Sequence, residues 1–127
     1  MPHSGEILRI KTPSAEHLFH VDVARTRAEH ERGLMGREEL PHAYGMLFLE
    51  EREVAKRMWM KGTPIPLDMI FIKKGGSIHH IERDTVPFST KKIWSGALVI
   101  GVLEVAGGMT RTLNINEGDK VLFPELS

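Results

Sequence analysis

Ala97-Leu98-Val99-Ile100-Gly101-Val102-Leu103-Glu104-Val105 is the longest apolar run of the chain. It predicts a strand at the centre of a sheet, because only a strand with neighbours on both sides buries so continuous a run. Its single acid, Glu104, must then point to water or to a cation. Gly107-Gly108 breaks the run, and Met109 to Leu113 predicts one helical turn. Glu117-Gly118-Asp119 is a tight turn, and Val121 and Phe123 alternate in a last strand. Upstream, Thr85 to Ser95 reads as a long polar connection around Pro87.

The rest of the chain continues the strand pattern. Leu8 and Ile10, then Phe19, Val21 and Val23, alternate with polar residues and predict a hairpin across the turn Thr12-Pro13-Ser14. Thr26-Arg27-Ala28-Glu29 is a capping box, so a short helix follows Thr26 and stops near Gly33. Arg37 to Tyr44 reads as loop. Met46 to Leu49 is apolar on both faces and reads as a strand, and Glu50 to Arg57 as a charged, solvated stretch with Val54 turned inward. Trp59 to Lys61 reads as extended. Met69 to Ile72 and Ile78 to Ile81 flank Lys73-Lys74-Gly75-Gly76, a hairpin signal. The expected fold is mainly β: a small antiparallel barrel-like or sandwich domain with one short helix, over residues 7–124, after a polar tail at 1–6.

With 127 residues the chain fits one domain, and about two-thirds of its unfolded surface can be buried. Seventeen acidic and 17 basic residues balance, so no global field recruits nucleic acid. There is no cysteine, which excludes disulfides, thiolate metal sites and a cysteine nucleophile. No apolar run approaches the ~20 residues of a membrane span. The first residues lack the apolar centre of a signal peptide, so the chain reads as cytoplasmic as written, or periplasmic or exported if it is a processed form.

Polar chemistry concentrates in Trp59-Met60-Lys61-Gly62-Thr63-Pro64-Ile65-Pro66-Leu67-Asp68. A cation, a hydroxyl and a carboxylate between two strands can orient a small polar ligand at a barrel mouth. The same residues can equally fasten the proline-rich turn, with Asp68 taking its backbone amides or pairing with Lys61, Arg32 or Arg37. Arg32 and Arg37, beside Gly33 and Gly36, can present forked donors at a cleft or bridge to Asp68 or Glu104. Met58 and Met60 share a strand face and could ligate copper(I), to which Met35 and Met46 could add, but methionine is mostly core filler. The seven histidines are scattered, and no carboxylate has metal-motif spacing, so no metal and no cofactor are expected. No serine has a nucleophile-elbow context.

Arg32-Gly33-Leu34-Met35-Gly36-Arg37, Gly45-Met46-Leu47-Phe48, Trp59 to Phe71, Leu103 to Gly108 and Ile115 to Val121 occur in the order of the motifs of the domain-of-unknown-function 192 family. The chain resembles that family from about Ile7 to Phe123. The resemblance implies a compact β-rich single domain and brings no established activity. Many members carry an export or lipoprotein signal. The family pattern usually has Asn where this chain has Gly62, which removes one polar side chain from the candidate site.

The functional reading is a binding or accessory module near the cell envelope. Its cleft lies between the Arg32–Arg37 and Trp59–Asp68 loops. Trp59 and Met60 supply apolar contact, and Arg32, Arg37, Lys61, Thr63 and Asp68 hold a small polar ligand. Two other readings stand beside it. One is a hydrolase or lyase with Asp68 or Glu104 as general base. The other is a structural or protein-interaction domain with no cleft. Pairing discriminates among them: a working acid sits in a concave pocket with a raised pKa, and a structural acid is saturated by donors.

Overall fold

The computed structural model describes residues 5–127. Seven strands and two short helices follow in the order β1 (Glu6–Lys11), β2 (Glu16–Ala24), α1 (Arg27–Arg32), β3 (Tyr44–Met58), β4 (Leu67–Ile72), β5 (Ile78–Glu82), β6 (Ile93–Ala106), α2 (Met109–Thr112) and β7 (Lys120–Leu122). They form one sheet in the order β5-β4-β6-β3-β2-β1-β7. The fold is thus mainly β and barrel-like. Of the polar tail expected over 1–6, residues 1–4 lie outside the described residues, and Glu6 already pairs with Val21 in β1.

The apolar run is the centre of the sheet. β6 pairs with β4 on one side and β3 on the other, both antiparallel. Side chains along β6 then divide between two apolar layers. Leu103 and Val105 join Leu8, Phe19, Leu47 and Ile70 in one layer. Val99 and Val102 join Phe48, Met69 and Phe71 in the other. β4 is buried at all six positions because it faces both layers.

One strand pair departs from the antiparallel expectation: β2 and β3 run parallel. A parallel pair needs a crossover connection, and α1 with the loop that follows it supplies one. The capping box forms as its sequence predicts. Thr26 Oγ1 accepts from the Glu29 amide at 3.1 Å, and Glu29 Oε1 accepts from the Thr26 amide at 3.0 Å. Gly33, with φ +46°, ends the helix and donates to Glu29 O.

Three boundaries move. The charged stretch Glu50–Arg57 is an extension of β3, irregular in register, because Val54 and Ala55 find partners in Val99 and Leu98 of β6. β6 correspondingly begins at Ile93, inside the expected polar connection. Trp59 and Met60 lie beyond the end of β3, and Lys61 enters a turn in which the Thr63 amide donates to Met60 O at 3.0 Å and Gly62 takes φ +70°.

The two sheet edges meet. The turn after β4 places Ser77 opposite Lys120, and the Val121 amide donates to Gly76 O at 2.7 Å. The sheet curls into a half-barrel around the first apolar layer, and α1 and its following loop cover part of the second.

Candidate functional site

Asp68 and Val105 are opposed on β4 and β6. Asp68 therefore lies on the same face as Ile70 and Ile72, and it is 0% exposed. Its carboxylate is saturated. Oδ1 accepts from the amides of Asp84 (3.0 Å) and Gly108 (3.2 Å), and Oδ2 from the amide and hydroxyl of Thr110 (2.9 and 2.7 Å). The expected partners, the Lys61–Ile65 turn or a Lys or Arg, are not the ones it takes. Asp68 instead ties the chain after β6 and the end of β5 to β4. This is the arrangement of a structural acid, and it removes Asp68 from any accessible site.

Glu104 faces the other way. On β6 it lies between Met46 of β3 and Met69 of β4, in the second apolar layer. It is 3% exposed and makes no hydrogen bond or ion pair with any described residue, so of the two expected outlets it takes water and no cation: its carboxyl reaches solvent through a cleft. Burial alone pushes its pKa up to about 8. The carboxyl is thus protonated at neutral pH, a neutral donor and acceptor with no partner.

Above Glu104 opens a cleft of about 250 Å³. Leu34, Phe48 and Met58 form its apolar wall, and Arg32, Lys61, Thr63 and Lys92 line its polar side. Trp59 stands at the rim with Lys61 Nζ 5.3 Å and Lys92 Nζ 5.2 Å from its ring centre. At another corner the His30 imidazole is pinned. Nε2 lies 2.9 Å from both Ala24 O and Leu49 O, so it carries the proton, and Nδ1 accepts from Lys56 Nζ at 3.0 Å. Lys56 also reaches Glu50 at 2.6 Å. The balance of charge around the opening is cationic.

Of the residues expected at the site, Arg32, Trp59, Lys61 and Thr63 come together in this cleft. Met60 does not: it is 1% exposed, and its sulfur accepts from the Thr85 hydroxyl at 3.1 Å inside the second layer. Arg37 lies in a neighbouring hollow, donating to Tyr44 Oη (3.1 Å), which in turn donates to Asp22 Oδ2 (2.8 Å). Neither arginine bridges to Asp68 or Glu104. His30, Lys56 and Lys92 were not anticipated, since nothing local marks them; Lys92 arrives from a connection that reads only as polar. Among the described residues no three His, Asp or Glu side chains converge on a metal position.

Two solved structures are similar over nearly the whole chain. A Novosphingobium aromaticivorans DSM 12444 protein of unknown function is 35% identical with a TM-score of 0.90, over 92% of this chain and 84% of that one. A Sinorhizobium meliloti 1021 protein, described provisionally as a transcription regulator, is 35% identical with a TM-score of 0.91, over 96% of this chain and 95% of that one. No curated protein matches. The model of the DUF192 family, described as "Uncharacterized ACR", matches residues 8–123. With motifs, fold and match in agreement over almost its full length, the chain belongs to the DUF192 family.

Proposed function

We propose that the chain is a binding module whose cleft takes a small organic anion with an apolar body. The carrying observation is Glu104, a carboxyl 3% exposed, without any hydrogen-bond partner, at the floor of a cleft with a cationic rim. A carboxyl this deeply set, with no donor or acceptor of the protein to engage it, presents its oxygens to whatever enters the cleft. A ligand that offers an acceptor to the protonated carboxyl supplies the missing partner. Lys61, Lys92 and Arg32 then meet its anionic end, and Leu34, Phe48 and Met58 its apolar middle. Activity near the cell envelope is part of this proposal and rests on the family resemblance.

The sign of the pH dependence follows. Below about 8 the floor is neutral, and anion binding is intact. Above it the floor becomes a carboxylate that repels the same anion. The test is thermal shift with a panel of short-chain and aromatic monocarboxylates and phosphate monoesters, at about pH 6 and about pH 9. The expected result is a shift at the lower pH that fades at the higher one. Glu104→Gln should keep the shift and lose its pH dependence, and Lys61→Glu should abolish it. No shift from any of these anions at either pH would defeat the proposal.

One observation favours a second reading. A carboxyl titrating near 8 is tuned for proton transfer near neutral pH, so Glu104, and not Asp68, is the acid–base group if the cleft is catalytic, resting as the general acid below about pH 8 and as the base above it. In that case Glu104→Gln would retain ligand binding and lose turnover.

A further inference from the structure

Charge is segregated at one end of the molecule. Residues 54–67 contain Lys56, Arg57 and Lys61 and no acid, and residues 85–103 contain Lys91 and Lys92 and no acid. The fold joins these two segments. β3 and β6 pair from Val54–Val99 to Met58–Ile93. The Met60 amide donates to Ser89 O at 2.9 Å, and the Phe88 amide to Thr63 O at 3.0 Å. Of the acids just outside, Asp84 is occupied by Arg111 at 2.6 Å and Glu82 by His80 at 2.9 Å, while Glu53, at the far end of the β3 segment, is exposed. A chain of zero net charge thus presents a local cationic surface.

The tip of this surface is apolar and strained. Val86-Pro87-Phe88-Ser89 is a tight turn closed by the Ser89 amide on Val86 O at 3.3 Å, and Phe88 takes φ +62°. That turn position favours glycine or asparagine, and a bulky aromatic there is strained. Burial does not offset the strain, because Phe88 is 63% and Val86 68% exposed. Single exposed apolar residues are ordinary; two of them at a strained tip, backed by lysines on both supporting segments, are not. Such strain tends to persist where function needs it.

We propose that this end docks on an anionic lipid bilayer, with Val86 and Phe88 entering the headgroup region and Lys61, Lys91 and Lys92 meeting the lipid phosphates. Apolar tips with a cationic collar suit a membrane interface, where apolar insertion and attraction to anionic lipid act together. A tip of two residues offers far less than the roughly 800 Å² per partner that a standard protein interface covers. The partly exposed Trp59 and Trp94 suit the same interfacial depth.

Co-sedimentation of the full chain with vesicles of phosphatidylglycerol and phosphatidylcholine, against phosphatidylcholine alone, tests this. Binding should require the anionic lipid, weaken with added salt, and blue-shift the tryptophan emission. Phe88→Gly relieves the backbone strain and should melt no lower than the parent, yet bind about tenfold more weakly or worse. Lys91→Glu should also weaken binding about tenfold. Glu104→Gln should leave it unchanged, which separates this surface from the cleft. Absence of binding to anionic vesicles at low salt, or binding that Phe88→Gly leaves intact, overturns the proposal, and the tip would then be assigned to a macromolecular partner.

Discussion

Glu104 and Asp68 are both buried acids, one residue out of phase on paired strands, and that single step sends them to opposite faces of the sheet. Glu104 enters an apolar layer and keeps its proton. In the unfolded chain it titrates near the ordinary 4.5, and in the folded protein near 8. Between those values the folded state holds a proton that the unfolded state has released. Stability therefore falls as pH rises from about 4.5 to about 8 and levels off above, with a ceiling on the order of 5 kcal/mol. Glu104→Gln should remove this slope and melt higher than the parent at about pH 9, while the two converge at about pH 4. Thermal melts across that range check it, and an unchanged slope in the variant would count against the buried, unpaired carboxyl. Asp68 is the reverse case, with four donors converging on two oxygens. Asp68→Ala should cost about 2–4 kcal/mol in urea melts. Asp68→Asn should cost nearly as much, since its amide group would face two of those donors. A silent Asn would mean that the charge is unimportant there.

At the scale of elements, the closure of the sheet hangs on the turn between β4 and β5. Gly75 and Gly76 have φ of +97° and +102°. A Cβ on Gly75 would meet nothing within 4 Å, whereas one on Gly76 would lie 2.2 Å from Val121 O, the backbone of β7. Gly75→Ala therefore suffers only the backbone strain, about 1–2 kcal/mol. Gly76→Ala suffers the strain and also displaces β7, so it should cost clearly more, about 2–4 kcal/mol. Denaturant melts of the pair measure the difference, and equal losses would show that the edge contact with β7 is dispensable. The Lys73–Gly76 signal was plain in the sequence, as was the capping box at Thr26. The extension of β3 through Glu50–Arg57 was not, because charged residues form strand only when a partner such as β6 is already in place.

For the whole molecule, the strand order predicts a gradient of local stability. β6 is hydrogen-bonded on both sides and buried from Val99 to Val105. β7 is three residues long, at an edge. Amide exchange should be slowest in β6 and the β3 and β4 segments paired with it, and fastest in β7 and the 86–92 connection. Exchange measured by mass spectrometry tests this, and comparable protection of β7 and β6 would show that the half-barrel opens only as a unit.

What the sequence determined by itself was local. Alternation at Phe19 to Val23, the unbroken run Ala97–Val105 and the turn residues at Gly75-Gly76 each act over a few residues, and they predict a β-rich domain with one short helix after Thr26. What only tertiary structure decided was which residues share a space. The parallel β2–β3 pairing brought α1 and its following loop over the second layer, so Arg32 and Leu34 met Trp59, Lys61 and Thr63 in one cleft. Lys92 joined them across the paired ends of β3 and β6. The pleat of β4 and β6 set Asp68 against four donors and Glu104 against none. Spacing along a chain says which face a side chain takes relative to its neighbours. Which face becomes a saturated interior and which a cleft depends on what other segments cover it, and that is settled by strand order and closure.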